Sequence, residues 1–360
     1  MIQFCSERGG IAGQMFYDAG IMIRYGIAGF GLHAAKRLMP GFAGAKESVA
    51  TALARRNVQR GQADAARFGL KAFATTRELC QCPEVDAVFA TGANATHLED
   101  VLAAIEHGKA VLCEKPLAMN AGEAEQMLAA ARQRGVLLGV AQCFRFCHSV
   151  NRIRECVQRQ EIGRAIGIRI DFSFQGPASP RDWLYDLAVA GGGPIADVGV
   201  HCIDAMRFIL ADEPVSCSAM TARDECSGSV EASAACVLRF SQGALGSSFV
   251  SFRSPYRTMI EVAGSEGSIF ARDGLTVDHP VTVEFHTPAG TRTEEFSNAD
   301  AYALQVDAFS AAMKNGGSFA ASAEDGLQNQ RILDALYLSA REGREVELPT
   351  MNRAEPASGS

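Results

Sequence analysis

The sequence predicts two folds in succession: an α/β half on a doubly wound parallel sheet, then an α+β half on one large, mostly antiparallel sheet. Three observations carry this. From Ile23 to Ala141 short apolar runs alternate with helix-like runs, and repeated βα units of that length imply a parallel sheet. From Ser216 to Phe296 seven strand-like runs follow one another, broken by turn signals such as Gly264-Ser265-Glu266-Gly267 and Pro288-Ala289-Gly290. The 360 residues suffice for two domains with cores of their own.

Composition narrows the function. A formal charge of −7 leaves no basic footprint for nucleic acid. No apolar run is long enough to make a membrane-spanning helix. The eleven cysteines are scattered through core-like segments. The close groups Cys80-x-Cys82 and Cys143-x3-Cys147-His148 lack a second pair at zinc spacing. Buried free thiols in a reducing cytoplasm, with no metal, are the expectation. Met1 to Gly20 has no basic region followed by an apolar one, as a signal peptide would. Residues 1–21 read as a disordered extension, or as sequence upstream of a start at Met22. Residues 349–360 read as a polar tail.

Ile23 to Ala28 is a buried strand running into Gly29-Phe30-Gly31-Leu32-His33-Ala34, the G-x-G-x-x-A form of the dinucleotide fingerprint. The first glycine permits the tight turn, the second lets the backbone approach a pyrophosphate, and Ala34 lets the next helix pack closely. Gly29, Phe30, Gly31 and Leu32 are therefore assigned to the cofactor, at a helix N-terminus whose amides favour phosphate. That helix, His33 to Leu38, is expected to stop at a Pro40-Gly41 breaker. The second strand, Ser48 to Leu53, ends in Leu53-Ala54-Arg55-Arg56-Asn57, where an Asp or Glu normally binds the ribose. Two guanidiniums there fit a 2′-phosphate through charge-assisted contacts. Arg55 and Arg56 thus predict NADP(H) over NAD(H); the competing reading is a solvated face of the next helix.

Asp64 to Phe68 reads as a helix stopped by Gly69, Val85 to Ala90 as a strand, and Thr96 to His107 as an amphipathic helix closed by Gly108. Ala110 to Cys113 is a short buried strand with Glu114-Lys115-Pro116 at its carboxyl end. Ligands of open parallel sheets bind just outside such ends. Lys115 would then face the crevice, held extended by Pro116, with a cis Lys115–Pro116 bond open to it. A plain strand end with surface charges is the competing reading. Asn120 and Glu123 form a capping box for a helix ended by Gly135, and Val136 to Ala141 is a further strand.

Gly29-x-Gly31-x-x-Ala34, Asn94-x-x-His97 and Glu114-Lys115-Pro116 together resemble the glucose–fructose oxidoreductase, inositol dehydrogenase and rhizopine-catabolism (Gfo/Idh/MocA) family. The resemblance implies a Rossmann domain over residues 22–145, with Asn94, His97, Glu114 and Lys115 on the cofactor. It implies a substrate and oligomerisation domain over residues 146–348. Where the family usually shows Ala-Thr-Pro-Asn, this chain has Thr91-Gly92-Ala93-Asn94. Ala93 in the proline's place is expected to loosen the loop under the nicotinamide. His97 is equally able to serve as a helix cap.

In the second half, Ser149 to Gln160 reads as a linking helix and Ile166 to Phe174 as a long alternating strand. A loop from Gly176 to Arg181 leads to Trp183, the only tryptophan, then to Gly191-Gly192-Gly193-Pro194 and one helix from Ile195 to Leu210. Asp197, His201 and Asp204, at i, i+4 and i+7, line one helix face. The glycines before them let the backbone approach a ligand, and a carboxylate one turn from an imidazole can orient it. An acid near the helix dipole and a satisfied core histidine are the competing reading. This stretch resembles the family's substrate-domain motif, so the likeness spans roughly Met22 to Leu348. Helices from Tyr302 to Lys314 and Leu327 to Glu342 complete the second domain.

The resemblance implies interconversion of a secondary alcohol and a ketone on a sugar or cyclic polyol, with NADP or NAD, by a homodimer or homotetramer. His201 is the candidate general base, Asp197 its orienting partner and Lys115 the cation on the reacting oxygen. Whether Lys115 or His201 moves the proton stays open. The candidate substrate set is Lys115, Arg145, Trp183, Asp197, His201 and Asp204. Arg145 enters because the family often carries Trp-Arg where this chain has Trp183-Leu184; it is equally placed for a domain-boundary salt bridge. Two other activities stay open: a dihydrodiol-, imine- or biliverdin-type reductase, and a nucleotide-binding regulator without turnover.

Overall fold

In the computed structural model, β1 (Ile23–Ala28), β2 (Ser48–Ala54), β3 (Lys71–Phe73), β4 (Ala87–Ala90), β5 (Ala110–Glu114) and β6 (Leu138–Ala141) pair in parallel, in the order β3-β2-β1-β4-β5-β6. The structure describes residues 20–176, 179–225 and 227–349; nearly all of the expected extension and tail lies outside them. Ile23, Ile27, Phe89, Val111 and Leu112 are fully buried. Helices cover both faces, which is why these strands read as unbroken apolar runs. The strand order reverses between β1 and β4, and that reversal opens a crevice at their carboxyl ends.

Local signals start and stop the helices. Asn57 accepts from the Arg60 amide and Gly69 closes Val58–Phe68 at φ 70°. Asn120 accepts from the Glu123 amide at 3.0 Å. Glu123, however, reaches back to the Met119 amide (3.1 Å), one residue beyond the predicted box. The expected break at Pro40-Gly41 does not occur. A π turn over Ala34–Leu38 continues into a helix over Met39–Gly44, with the Met39 amide bonding to Ala34 O. Pro40 follows that wide turn, at the start of the new helical register, where a missing N–H leaves no bond unmade.

The second sheet has nine strands: β7 (Ala165–Gln175), β8 (Pro214–Ala222), β9 (Ser233–Phe240), β10 (Leu245–Ser251), β11 (Arg253–Gly264), β12 (Ser268–Arg272), β13 (Val281–Thr287), β14 (Gly290–Phe296) and β15 (Val346–Glu347). Their order is β14-β13-β12-β11-β7-β10-β9-β8-β15. Only the β7–β10 pairing is parallel among these strands. Helix Val200–Leu210 packs on β7 and helix Ala323–Glu342 on β8. The opposite face leaves Met220, Val237, Leu245 and Phe249 exposed.

Helix Ala301–Asn315 departs from the expected domain division. It packs Val306 and Phe309 into the core of the first sheet, and Tyr25 Oη lies 2.9 Å from Ser310 Oγ. Sequence order places this helix in the second domain, but its apolar stripe is complementary to the first.

Candidate active site

The fingerprint turn is built by close approach. Gly29 sits at φ +71°, and a Cβ there would lie 2.5 Å from the backbone of Gly92. A Cβ on Gly31 would meet only Gly29 O, at 3.7 Å. That side of the turn is open, as a pyrophosphate requires. Leu32 lines the cleft, whereas the Phe30 side chain is buried and only its backbone belongs to the turn.

The loop after β4 corrects an expectation. Ala93 holds φ −66° and ψ 151°, already the proline conformation. Its carbonyl accepts from the Thr96 amide and hydroxyl, at 2.7 and 3.0 Å. The loop is therefore pinned without proline. Ala93→Pro is expected to raise stability by about 0.4–1 kcal/mol, by restricting the unfolded chain; a lowered melting temperature would contradict this.

His97 does not reach the cleft. It is fully buried, with Nδ1 3.0 Å from Pro116 O and Nε2 3.2 Å from Gly92 O. It sits between the two cofactor-side loops, its one N–H donating to one of these carbonyls, and burial holds its pKa below the ordinary value. Asn94 does line the cleft, and its Nδ2 donates to Ala190 O (2.7 Å) across the domain junction. Arg55 and Arg56 separate. Arg55 is ion-paired with Asp64 of the following helix, so its charge is already engaged. Arg56 is exposed and has no ion pair among the described residues. The two-guanidinium reading reduces to one.

At the end of β5 the Lys115–Pro116 peptide is cis. Lys115 Nζ donates to Asp197 O at 2.7 Å and to Asp197 Oδ1 at 3.1 Å. Arg181 holds Asp197 from the other side, with Nη2 3.4 Å from Oδ2. Burial works to raise the Asp197 carboxyl, but Lys115 and Arg181 outweigh it and hold it well below the usual carboxylate range. Glu114 accepts from the Lys115 amide (3.2 Å) and lies 2.9 Å from His33 Nε2. Burial would push its carboxyl up; His33 and Lys115 hold it below its ordinary value. His201 lines the same cleft, and burial, then the Lys115 charge, push its pKa well down against the pull of Asp197. At neutral pH the imidazole is uncharged.

Three expectations fail around this centre. Asp197 does not orient His201: its carboxylate is spent on Lys115 and Arg181, and His201 Nδ1 lies 3.3 Å from Gln142 Oε1 instead. The reason is a π turn over Ile195–Gly199, which shifts Asp197 relative to the α-helix Val200–Leu210. The glycine run does not approach a ligand either. A Cβ on Gly192 would sit 1.9 Å from Tyr337 Oη, and one on Gly193 2.4 Å from Glu231 O. Those glycines seat the helix start on Glu231, whose carboxylate accepts from the Gly193 and Ile195 amides at 3.0 Å.

Lastly, Arg145 and Asp204 leave the substrate set. Arg145 Nε and Nη2 fork onto Asp204 at 2.8 and 2.7 Å, Nη1 reaches Asp325 at 3.0 Å, and Asn329 completes Asp204 at 2.8 Å. This network lies outside the cleft, at the boundary between the halves.

The cleft has a volume of about 390 Å³, in the range of small-ligand sites, roughly 300–1,000 Å³. Thr91, Asn94 and Lys115 line it together with the aromatic side chains of Phe172, Phe174 and Trp183. Arg181, two residues before Trp183, also lines it. Tyr302 also reaches in, from the helix misassigned by sequence order. No short-range signal marks Tyr302; Arg181 was legible only as an arginine beside the lone tryptophan.

A glycine turn open to phosphate, a cation and a neutral imidazole on one cleft define an NAD(P)-dependent oxidoreductase acting on CH–OH groups. Residues 23–142 match the oxidoreductase family, NAD-binding Rossmann fold, and residues 150–270 match the GFO/IDH/MocA C-terminal domain. The chain belongs to the Gfo/Idh/MocA oxidoreductases. It is 33% identical to the 1,5-anhydro-D-fructose reductase of Ensifer adhaerens, over 82% of this chain and 89% of that protein. It is 31% identical to D-xylose 1-dehydrogenase (NADP(+)) 2 of Haloferax volcanii, over 90% and 98%. The fold is also similar to an aldose-aldose oxidoreductase from Caulobacter crescentus complexed with glycerol: TM-score 0.85, 25% identity, 91% of this chain and 100% of that one.

Proposed function

We propose that this enzyme interconverts a secondary alcohol and a ketone on a sugar or cyclic polyol, with NADP(H) preferred. The carrying observation is Lys115 Nζ, fixed by Asp197 at 3.1 Å on the cleft that His201 also lines. When bound, the dinucleotide takes or returns the hydride. In the oxidative direction Lys115 holds the substrate oxygen and stabilises its developing negative charge. Asp197 and Arg181 keep that ammonium in place. His201, neutral because it is buried, accepts the hydroxyl proton. The C–H bond loses its electron pair with the hydride, and the O–H bond leaves its pair as the new C=O π bond. The aromatic side chains of Phe172, Phe174 and Trp183 on the cleft suit the carbon face of a ring.

Turnover of NADP+ or NAD+ against a panel of aldoses, inositols, anhydrosugars and dihydrodiols tests the reading. Activity confined to dihydrodiols, or tight NADPH binding without any turnover, would overturn it. For the cofactor, Arg56 is an exposed cation at the end of β2, and the similar D-xylose 1-dehydrogenase of Haloferax volcanii is named for NADP(+). Arg56→Ala is expected to lower kcat/KM for NADP+ about tenfold and leave that for NAD+ unchanged, the size of one charged hydrogen bond. A tenfold wild-type preference for NAD+ would end the NADP reading. The exposed Met220, Val237, Leu245 and Phe249 on the open sheet face support a homo-oligomer, which sedimentation velocity checks.

A further inference from the structure

We infer that Gln142 is the residue that positions His201 and selects its tautomer, the role expected of Asp197. Three observations meet here. Asp197 is engaged by Lys115 and Arg181 and makes no hydrogen bond to the imidazole among the described residues. His201 Nδ1 lies 3.3 Å from Oε1 of Gln142, a residue that is 1% exposed. The ring lies edge-on to Phe144 (4.8 Å between centroids) and near-parallel to Phe172 (6.2 Å), so aromatic side chains bound it beside Gln142.

An amide oxygen only accepts. With Oε1 facing Nδ1 at 3.3 Å, the tautomer that makes this hydrogen bond carries its proton on Nδ1 and donates it to Gln142. Nε2 is then the nitrogen with the free lone pair, and it has no protein partner among the described residues. A base that takes a hydroxyl proton needs that tautomer. Gln142 itself is rigidly set: it follows β6, its amide bonds to Val140 O at 3.0 Å, and its carbonyl accepts from the Arg145 amide at 3.0 Å. Its Nε2 is buried with no hydrogen-bond partner among the described residues. A glutamine orients the ring without adding charge, and the imidazole therefore keeps the low proton affinity that burial gives it. The titratable groups acting on it are Lys115 from the end of β5, His33 from the fingerprint helix and Asp197 from its own turn. Lys115 and His33 favour the neutral ring, and Asp197 opposes them.

This rests on His201 being the general base, and the experiment separates the two. Wild type, Gln142→Glu, Gln142→Leu and His201→Ala are compared by kcat/KM against pH in the oxidative direction, with melting temperature and NADPH binding checked for each. In Gln142→Glu a carboxylate beside Nδ1 favours the protonated ring, so the acid limb should move up by about one pH unit or more. Gln142→Leu should lower kcat about tenfold to a hundredfold with NADPH binding intact, since the wrong tautomer then competes. A Gln142→Glu profile that overlays wild type, in folded protein that binds NADPH and while His201→Ala abolishes the limb, overturns the inference and leaves His201 as base. An acid limb that survives in His201→Ala overturns the reading of His201 and the inference with it. If Gln142→Glu does not fold, a Gln142→Leu variant with unchanged kcat overturns the inference by itself.

Discussion

Lys115→Ala is expected to lower kcat at least ~100-fold, in the range of groups that handle charge in the transition state. The same change should destabilise the protein. Lys115 and Asp197 side chains are 14% and 8% exposed, and removing one partner of a buried pair costs about 3–5 kcal/mol because the other charge is stranded. Arg181 remains, at 3.4 Å, so the loss should fall toward the lower end of that range. The acid dependence carries a sign. Asp197 is held below its ordinary pKa, so its ionised form stabilises the fold above the unfolded value of about 3.9, and that stability is lost as pH falls through the folded value. In wild type this loss is confined to strong acid. Without Lys115 burial gains on the remaining attraction, the carboxyl takes up a proton at higher pH, and the acid-unfolding midpoint should rise. Circular dichroism against pH measures it; an unmoved midpoint would mean that Lys115 does not hold Asp197. Lys115→Arg separates the two roles. It keeps the charge and much of the stability, but its planar fork cannot replace an ammonium on the reacting oxygen.

Arg145→Met should do the opposite: leave the chemistry and damage the fold. Arg145 and Asp204 are 5% and 3% exposed as side chains, and Arg145 also holds Ala320 O at 2.6 Å. Truncation should cost about 3–5 kcal/mol, read as a lower denaturant midpoint, while KM for substrate and kcat of the folded enzyme stay put. Asp204→Leu should cost a similar amount, and the double variant less than the sum, because the second change removes the charge that the first strands. A raised KM for substrate in Arg145→Met, at unchanged stability, would return Arg145 to the substrate set.

The two enzyme halves, the glycine turn and the lysine at the end of β5 were all legible in the chain. Each depends on contacts within a few residues: a buried strand, a turn that needs glycine, an extended residue before proline. The motif through Asp197, His201 and Asp204 was legible as a motif but not as a geometry. Ideal helical spacing puts the three on one face; in the structure Asp197 and His201 line the cleft, whereas Asp204, further along helix Val200–Leu210, joins a boundary network. Polar side chains could not be assigned partners from the sequence either. Arg55 met Asp64, Arg145 met Asp204, and His97 met two carbonyls.

By itself, then, the sequence determined the class of fold, the dinucleotide turn and Lys115, because periodicity and turn chemistry are local properties. Only the tertiary structure decided that Arg181 and Lys115 share Asp197, that Gln142 meets His201, and that a late helix brings Tyr302 to the first domain's cleft. The physical reason is that a buried ionic or hydrogen-bonded group is defined by its nearest complementary atom. That atom lies here far along the chain, 82 residues away between Lys115 and Asp197 and 180 between Arg145 and Asp325.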